Sequence, residues 1–159
     1  MNASQVRVNL IRPILEAMGQ ATPCKHSLAS ENIMMGTWAH ESLGGKYIKQ
    51  VGGPACGIFQ IEPATAHSLL EHYVKPRKVF VDFIARYSTQ QSIEEQLVTN
   101  LALQVIIARL VYYPKPQPMP AADDLPGLAA YYKLHYNTPL GKSTVQKFLT
   151  DYALFVQSA

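Results

Sequence analysis

The most constraining feature of the sequence is a long apolar stripe that begins at a helix-start signal and ends at a proline. The tetrapeptide Ser92-Ile93-Glu94-Glu95 has the pattern of a capping box, in which two side chains satisfy the first free N–H groups of a helix. Apolar side chains then recur at helical spacing up to Pro114: Leu97, Leu101, Val105, Ala108 and Val111. Such a stripe packs against other elements, so the sequence predicts a helix-rich domain.

Further helix patterns occupy most of the remaining chain. Val6, Leu10, Ile14 and Met18 predict a first helix that Pro13 bends or divides. Five more helices are expected over 27–41, 63–73, 76–87, 125–136 and 143–155, with Val79, Phe83 and Ile84 inward and with Ser27 or Ser30, Pro63, Asp124 and Ser143 at helix starts. Segments 47–51 and 57–61 predict either a small β-hairpin or an extended loop. The expected fold class is mainly α.

Composition limits the functional classes. The chain has 159 residues, 48% of them hydrophobic and 16% charged, which favours a single globular domain over 1–159 and argues against disorder. A net charge of +3 without a dense basic run argues against nucleic-acid binding. No apolar run approaches the ~20 residues of a membrane span, and the first residues lack the apolar centre of a signal peptide.

The sequence also predicts no metal site and no cofactor. Cys24 and Cys56 have no metal-ligand spacing, and they are compatible with one disulfide or with two free buried thiols. His67 and His72 are five positions apart and do not share a helical face.

The stretch from Gly36 to Thr65 contains the candidate chemistry. Glu41 closes a mainly apolar helix face, a glycine-rich passage follows, and Glu62 stands directly before Pro63. Two carboxylates separated by a tight turn can face each other across a groove, as acid/base cleavage of a glycosidic bond requires. Burial at the end of an apolar face would raise the pKa of Glu41 and keep its proton available. From spacing alone, a solvated Glu41 and a helix-start role for Glu62 remain open alternatives.

Polar and aromatic side chains near these acids are candidates for sugar contacts. Ser42 and Gln60 can hydrogen-bond sugar hydroxyl or N-acetyl groups, and both residues are equally compatible with ordinary surface positions. Tyr131, Tyr132, Tyr136 and Asn137 place aromatic rings and an amide near a helix end. Sugars stack on aromatic faces, although core packing is expected for at least two of these tyrosines.

Taken together, these residues resemble the lysozyme-like superfamily, in its lytic transglycosylase (SLT-type) and goose-type lysozyme branch. That pattern has a catalytic Glu-Ser at a helix end, a glycine-bearing loop and a Gly-x-x-Gln segment, as in Glu41-Ser42, Gly44-Gly45 and Gly57-Ile58-Phe59-Gln60. A later Asn-apolar pair resembles Asn100-Leu101, and a Tyr-Asn pair resembles Tyr136-Asn137. The sequence around Glu41 and Glu62 is most similar to that of phage-encoded members of this group.

The resemblance implies a two-lobed helical fold with a groove for peptidoglycan glycan strands. It implies Glu41 as the general acid for cleavage between N-acetylmuramic acid and N-acetylglucosamine, and as the later base in a transglycosylase. The residues that would bind substrate or position Glu41 are Ser42, Gly57, Gln60, Tyr132, Tyr136 and Asn137.

Glu62 departs from the transglycosylase pattern, which has an apolar residue there, and matches goose-type lysozymes. A Glu62 facing Glu41 across the groove would activate water for hydrolysis with inversion. A Glu62 turned away would leave the muramyl hydroxyl to attack internally and form an anhydro product. We favour the transglycosylase route, because a helix-capping role beside Pro63 would occupy the Glu62 carboxylate.

The expected location follows from the same resemblance. The protein would reside in a phage virion, or in the host cytoplasm before release, and act on the host wall in the periplasm, with other virion or tail proteins as potential partners. A hypothesis from another class is a non-catalytic wall-binding component of a phage tail or secretion machine.

Overall fold

The computed structural model describes residues 1–137 and 141–158. Helices dominate this part of the chain, which confirms the mainly α class. The α-helices are α1 Ala3–Val6, α2 Arg12–Ala21, α3 Leu28–Glu41, α4 Pro63–Leu69, α5 Lys78–Ala85, α6 Ile93–Thr99, α7 Leu101–Tyr112, α8 Leu125–His135 and α9 Val145–Tyr152. Wider π turns continue three of them at Arg7–Ile11, Leu70–Val74 and Ala153–Gln157. No helix in the described residues is long and apolar enough to cross a membrane.

A π turn divides the first predicted helix next to Pro13. The Arg12 backbone N–H donates to the Arg7 carbonyl, five positions back, in place of the usual four. The wider turn lies just before Pro13, whose ring nitrogen cannot donate a helical hydrogen bond. It shifts the buried face by one position, so that Ile11 and Leu15 are buried with Val6 and Met18, while Leu10 and Ile14 are only partly buried.

Helix α3 forms the centre of the fold. Ser27 and Ser30 cap its start reciprocally, so both predicted capping serines take part. Every residue from Ile33 to Ala39 is buried, because α7, α8 and α9 all pack against this helix. The mainly apolar face predicted for this helix is therefore narrower than the buried surface, which surrounds the helix over these residues. Gly36 allows the closest approach, since a Cβ there would lie 2.1 Å from Cζ of Phe148 on α9.

A buried glutamate in the first turn of α3 ties the amino-terminal helices to the core. Arg12 donates to both carboxylate oxygens of Glu31 at 2.9 and 3.0 Å, and Arg7 donates to one at 3.2 Å. Nε2 of His26 lies 2.7 Å from the same carboxylate. Burial alone would raise the pKa of Glu31, but these hydrogen bonds outweigh burial and hold the pKa at about 2.

The predicted long helix from Ser92 to Pro114 is interrupted at Asn100. The Ser92 capping box forms as predicted, but Asn100 has φ −105° and ψ 90°, which ends α6. The Asn100 side chain accepts a hydrogen bond from the Leu103 N–H and so caps α7, while its amide group donates to the Tyr87 carbonyl. Leu101, predicted to lie in the apolar stripe, is consequently 39% exposed.

Two other predictions of inward or capping residues were wrong by one position. Phe80, not Val79, is buried with Phe83 and Ile84, because α5 begins only at Lys78. Thr144, not Ser143, caps α9 by accepting from the Lys147 N–H.

The β-leaning segments form no strand among the described residues. They make only isolated antiparallel bridges, Lys49 with Cys56 and Cys56 with Ile61, so the extended-loop alternative is correct. Of the two options for the cysteines, the structure has the free thiols: Cys24 and Cys56 are buried and unpaired with each other.

Candidate active site

Glu41 is the last residue of α3, and the turn that follows it is held by Ser42. The Ser42 hydroxyl donates to the Trp38 carbonyl at 2.9 Å and accepts from the Gly45 N–H at 3.0 Å. Leu43 and Gly44 both have positive φ, which turns the chain sharply out of the helix. Two roles were predicted for Ser42, substrate binding and positioning of Glu41. Because Ser42 is 0% exposed, it positions Glu41 and does not reach a ligand.

The carboxyl group of Glu41 is partly buried and has one hydrogen-bond donor. Tyr132 on α8 donates its hydroxyl to Oε1 of Glu41 at 2.5 Å. Burial raises the pKa of Glu41 to about 7, and the hydrogen bond from Tyr132 opposes this rise. Burial and the charge of Glu41 also raise the pKa of Tyr132, so the tyrosine remains a donor. A large fraction of Glu41 is therefore protonated near neutral pH.

Tyr132 is itself fixed by a buried network that links α3 to α9. Its ring lies 5.3 Å from that of His40 and 4.8 Å from that of Phe148. Nδ1 of His40 lies 2.6 Å from Oδ2 of Asp151, and Nε2 of His40 hydrogen-bonds the Ser143 hydroxyl. Burial lowers the pKa of His40, and its bond to Asp151 opposes this. Of the two roles predicted for Tyr132, substrate binding and positioning of Glu41, these contacts fit the second.

An open cavity of about 700 Å³ lies beside Glu41. We call it the Glu41 cavity. Five predicted site residues line it, namely Glu41, Gln60, Glu62, Tyr136 and Asn137; the other lining residues are Leu43, Tyr47, Gln50, Val51, Ala55, Ile61, Thr65 and Val111. Ser42, Gly57 and Tyr132 do not line it. The sequence analysis did not predict Tyr47, Gln50 and Val51 as site residues. The available signal was an aromatic and an aliphatic residue in a glycine-rich loop, Tyr47 and Val51, which the structure shows to be exposed.

Glu62 is an exposed residue on the wall of the same cavity as Glu41. Although Glu62 occupies the N-cap position of α4, its side chain makes no capping hydrogen bond. The expectation that capping would occupy this carboxylate was therefore wrong. Pro63 takes the first helical position as predicted.

Gly57 and Gln60 build a tight turn on the cavity wall. Gln60 has a φ of +46° and donates from Nε2 to the Gly57 carbonyl at 2.8 Å. Gly57 has a φ of +78°, and a Cβ there would lie 2.3 Å from the Leu97 carbonyl oxygen. Gly57 therefore shapes this turn through its backbone, and its substrate contact stays a prediction. Gln60 presents its partly exposed side chain to the cavity.

Tyr136 forms the aromatic part of the wall. Its hydroxyl donates to the Phe59 carbonyl at 2.7 Å, and its ring stacks on Tyr112 at 5.2 Å and on Tyr132 at 5.8 Å. Tyr131 and Tyr132 are buried, which confirms core packing for two of the predicted tyrosines. Asn137 lies beside Tyr136 and accepts a hydrogen bond from Lys133.

Comparisons of this chain with protein-family models, with curated proteins and with solved structures found no match. Within the described residues, no group of three His, Cys, Asp or Glu side chains is arranged to hold a metal ion. His67 instead lies 2.7 Å from the Glu94 carboxylate on the surface.

Proposed function

We propose that this protein cleaves the glycosidic bond between N-acetylmuramic acid and N-acetylglucosamine in peptidoglycan, with Glu41 as the general acid. The observation that carries the proposal is a carboxyl group with a pKa of about 7 on the wall of an open cavity. A group with this pKa can give a proton to a leaving oxygen at neutral pH and exist as the base afterwards. The motif resemblance supplies the substrate class.

The reaction begins when Glu41 transfers its proton to the glycosidic oxygen as the bond from that oxygen to the muramyl C1 breaks. The Tyr132 hydroxyl then hydrogen-bonds the carboxylate left on Glu41. In the transglycosylase route, this carboxylate takes the proton of the muramyl C6 hydroxyl while the oxygen of that hydroxyl attacks C1. The product is an anhydromuramyl end, and Glu41 recovers its proton. This route requires only one carboxyl group.

Hydrolysis is the second candidate, and the position of Glu62 favours it. Glu62 lines the same cavity as Glu41, and its carboxylate is not used for helix capping. In an inverting glycosidase, the base holds a water on the face opposite the acid, at a carboxyl separation of roughly 6.5–9.5 Å. Glu62 would be that base, and the product would have a reducing end.

The setting proposed for either reaction is the wall of a bacterial host. The protein would reach it as part of a phage virion or after release from the host cytoplasm, together with other virion or tail proteins in the first case. A glycan chain in the cavity would lie against Tyr136 and hydrogen-bond Gln60 and Asn137, which line it.

The test compares clearing of purified sacculi by the wild type, Glu41→Gln and Glu71→Gln. Glu71 is an exposed glutamate outside the cavity and serves as the matched control. We expect Glu41→Gln to abolish clearing and Glu71→Gln to retain it. Equal clearing by all three would remove Glu41 from the mechanism, and binding of sacculi without fragment release would favour the non-catalytic role.

Mass spectrometry of the released fragments separates the two chemistries. Anhydromuramyl ends that persist in Glu62→Gln identify a transglycosylase. Reducing ends that disappear in Glu62→Gln identify a hydrolase with Glu62 as its base.

A further inference from the structure

A second, smaller cavity of about 280 Å³ lies between the end of α7, the proline-rich loop and α8. Its principal walls are Arg109, Tyr112, Tyr113, Lys115, Met119 and Tyr131. We call it the Arg109 cavity. Tyr112 stacks on Tyr131 at 6.0 Å and on Tyr136 at 5.2 Å, so a layer of aromatic rings separates this cavity from the Glu41 cavity.

Arg109 is the unusual residue of this cavity. Its side chain belongs to a residue only 7% exposed, yet among residues 1–137 and 141–158 its guanidinium has no carboxylate partner and no hydrogen-bond acceptor. Its guanidinium carbon lies over the ring of Tyr113, 5.7 Å from the ring centroid. Arginine is seldom buried to this degree without a partner. None of the Arg109 nitrogens is fully enclosed, so its unpartnered donors are accessible from the open cavity.

The surroundings of Arg109 increase the positive charge. Lys115 also lines the cavity, and no Asp or Glu occurs among its described lining residues. Burial raises the pKa of Tyr131 and of Cys24, and the charge of Arg109 opposes both shifts.

We propose that the Arg109 cavity binds a small oxyanion, either a carboxylate or a phosphate group of a ligand. A guanidinium presents two parallel N–H donors that match both groups, and Lys115 supplies a second positive charge. The volume lies just below the usual range for small-molecule sites, so it suits the anionic end of a ligand better than a whole large one. The aromatic walls exclude water from one side and strengthen the attraction. This binding does not depend on the chemistry of Glu41.

The test follows the arginine Nε–H resonances of ¹⁵N-labelled protein during titration. Sodium phosphate and sodium acetate are the two probes, each added at constant ionic strength against sodium chloride. We expect the Arg109 resonance to shift with a saturable profile for at least one probe. Saturation by phosphate alone defines a phosphate site, and saturation by acetate alone defines a carboxylate site. No saturable shift with either probe would overturn the proposal.

Three variants attribute the binding to the cavity. Arg109→Gln, followed through the backbone amide resonance of Tyr113, should weaken binding about tenfold to a hundredfold, because a hydrogen-bonded charge is lost. Lys115→Gln, followed through the Arg109 resonance, should weaken it severalfold. Arg86→Gln removes the same charge from an arginine outside the cavity that lies over Phe83, and it should leave the affinity unchanged. If Arg109→Gln fails to fold, Arg109→Lys tests the same point, since it keeps the charge and loses the two parallel donors. Equal affinity in the Arg109 and Arg86 variants would refute the site.

Discussion

The hydrogen bond from Tyr132 to Glu41 sets how strongly the acid holds its proton. Tyr132→Phe removes the hydroxyl and keeps the ring that packs on His40 and Phe148. A hydrogen bond to a carboxylate stabilises it by about 1.5–3 kcal/mol, and one to a neutral carboxyl by about 0.5–1.5 kcal/mol. The difference of roughly 1–1.5 kcal/mol corresponds to about one pKa unit. Because the bond favours the charged form, its loss should raise the pKa of Glu41 from about 7 to roughly 8.

This prediction can be measured directly and through activity. In ¹³C NMR of labelled carboxyl groups, Glu41 is assigned by the signal missing from Glu41→Gln, and its titration midpoint is compared between wild type and Tyr132→Phe. The alkaline limb of sacculus clearing should move upward by the same interval. Tyr87→Phe removes a hydroxyl from a tyrosine outside the cavity and should change neither result. A midpoint that stays the same or falls in Tyr132→Phe would refute the assigned role of the hydrogen bond.

Three further predictions concern stability. Because the folded pKa of Glu41 is about 7 against 4.5 for the ordinary group, its ionisation opposes folding increasingly above pH 4.5. Urea unfolding should therefore find Glu41→Gln more stable than the wild type by up to roughly 3 kcal/mol at pH 8 and not at pH 4. Glu31 has the opposite sign: its stabilisation is complete above pH 4.5 and is lost as pH falls through about 2. In the same assay Glu31→Gln should cost about 3 kcal/mol at pH 7, because Arg7 and Arg12 lose their carboxylate acceptor while Arg7 keeps its bond to Asn32. A thermal melt should show Gly57→Ala destabilised by more than about 2 kcal/mol, because the added Cβ meets the Leu97 carbonyl. Gly52 also has a positive φ but has open space around it, so Gly52→Ala should cost only about 1 kcal/mol. Equal losses in the two glycine variants would contradict the steric argument.

Local signals predicted much of the helical framework. Ser27, Ser92 and Asp124 cap helices as expected, because a capping side chain bonds an N–H only two or three positions away. The division of the first helix was also predicted, because Pro13 is a local signal. The interruption at Asn100 was not predicted, because it involves a tertiary contact, the bond from Asn100 to the Tyr87 carbonyl, which overrides the continuous apolar stripe.

The candidate site was predictable where its residues are close in sequence. The segment around Gln60 and Glu62 does meet Glu41 in one cavity. The support of Glu41 was not predictable as a network, because Ser143, His40 and Asp151 come together from distant parts of the chain. His40 and Asp151 are 111 positions apart, and no local pattern marks their pairing. Capping of α4 by Glu62 was the reasonable local expectation, and its side chain lies on the cavity wall instead.

The packing of α9 over α3 has a consequence for protein synthesis. Ribosomes complete the acid-bearing helix long before they make Phe148, which fits against Gly36, or Asp151, which holds His40. A nascent chain that stops before Val145 exposes an apolar side of α3 and lacks one of the rings that fix Tyr132. Products truncated there should therefore aggregate, and any activity that depends on the position of Glu41 should require synthesis to have passed α9.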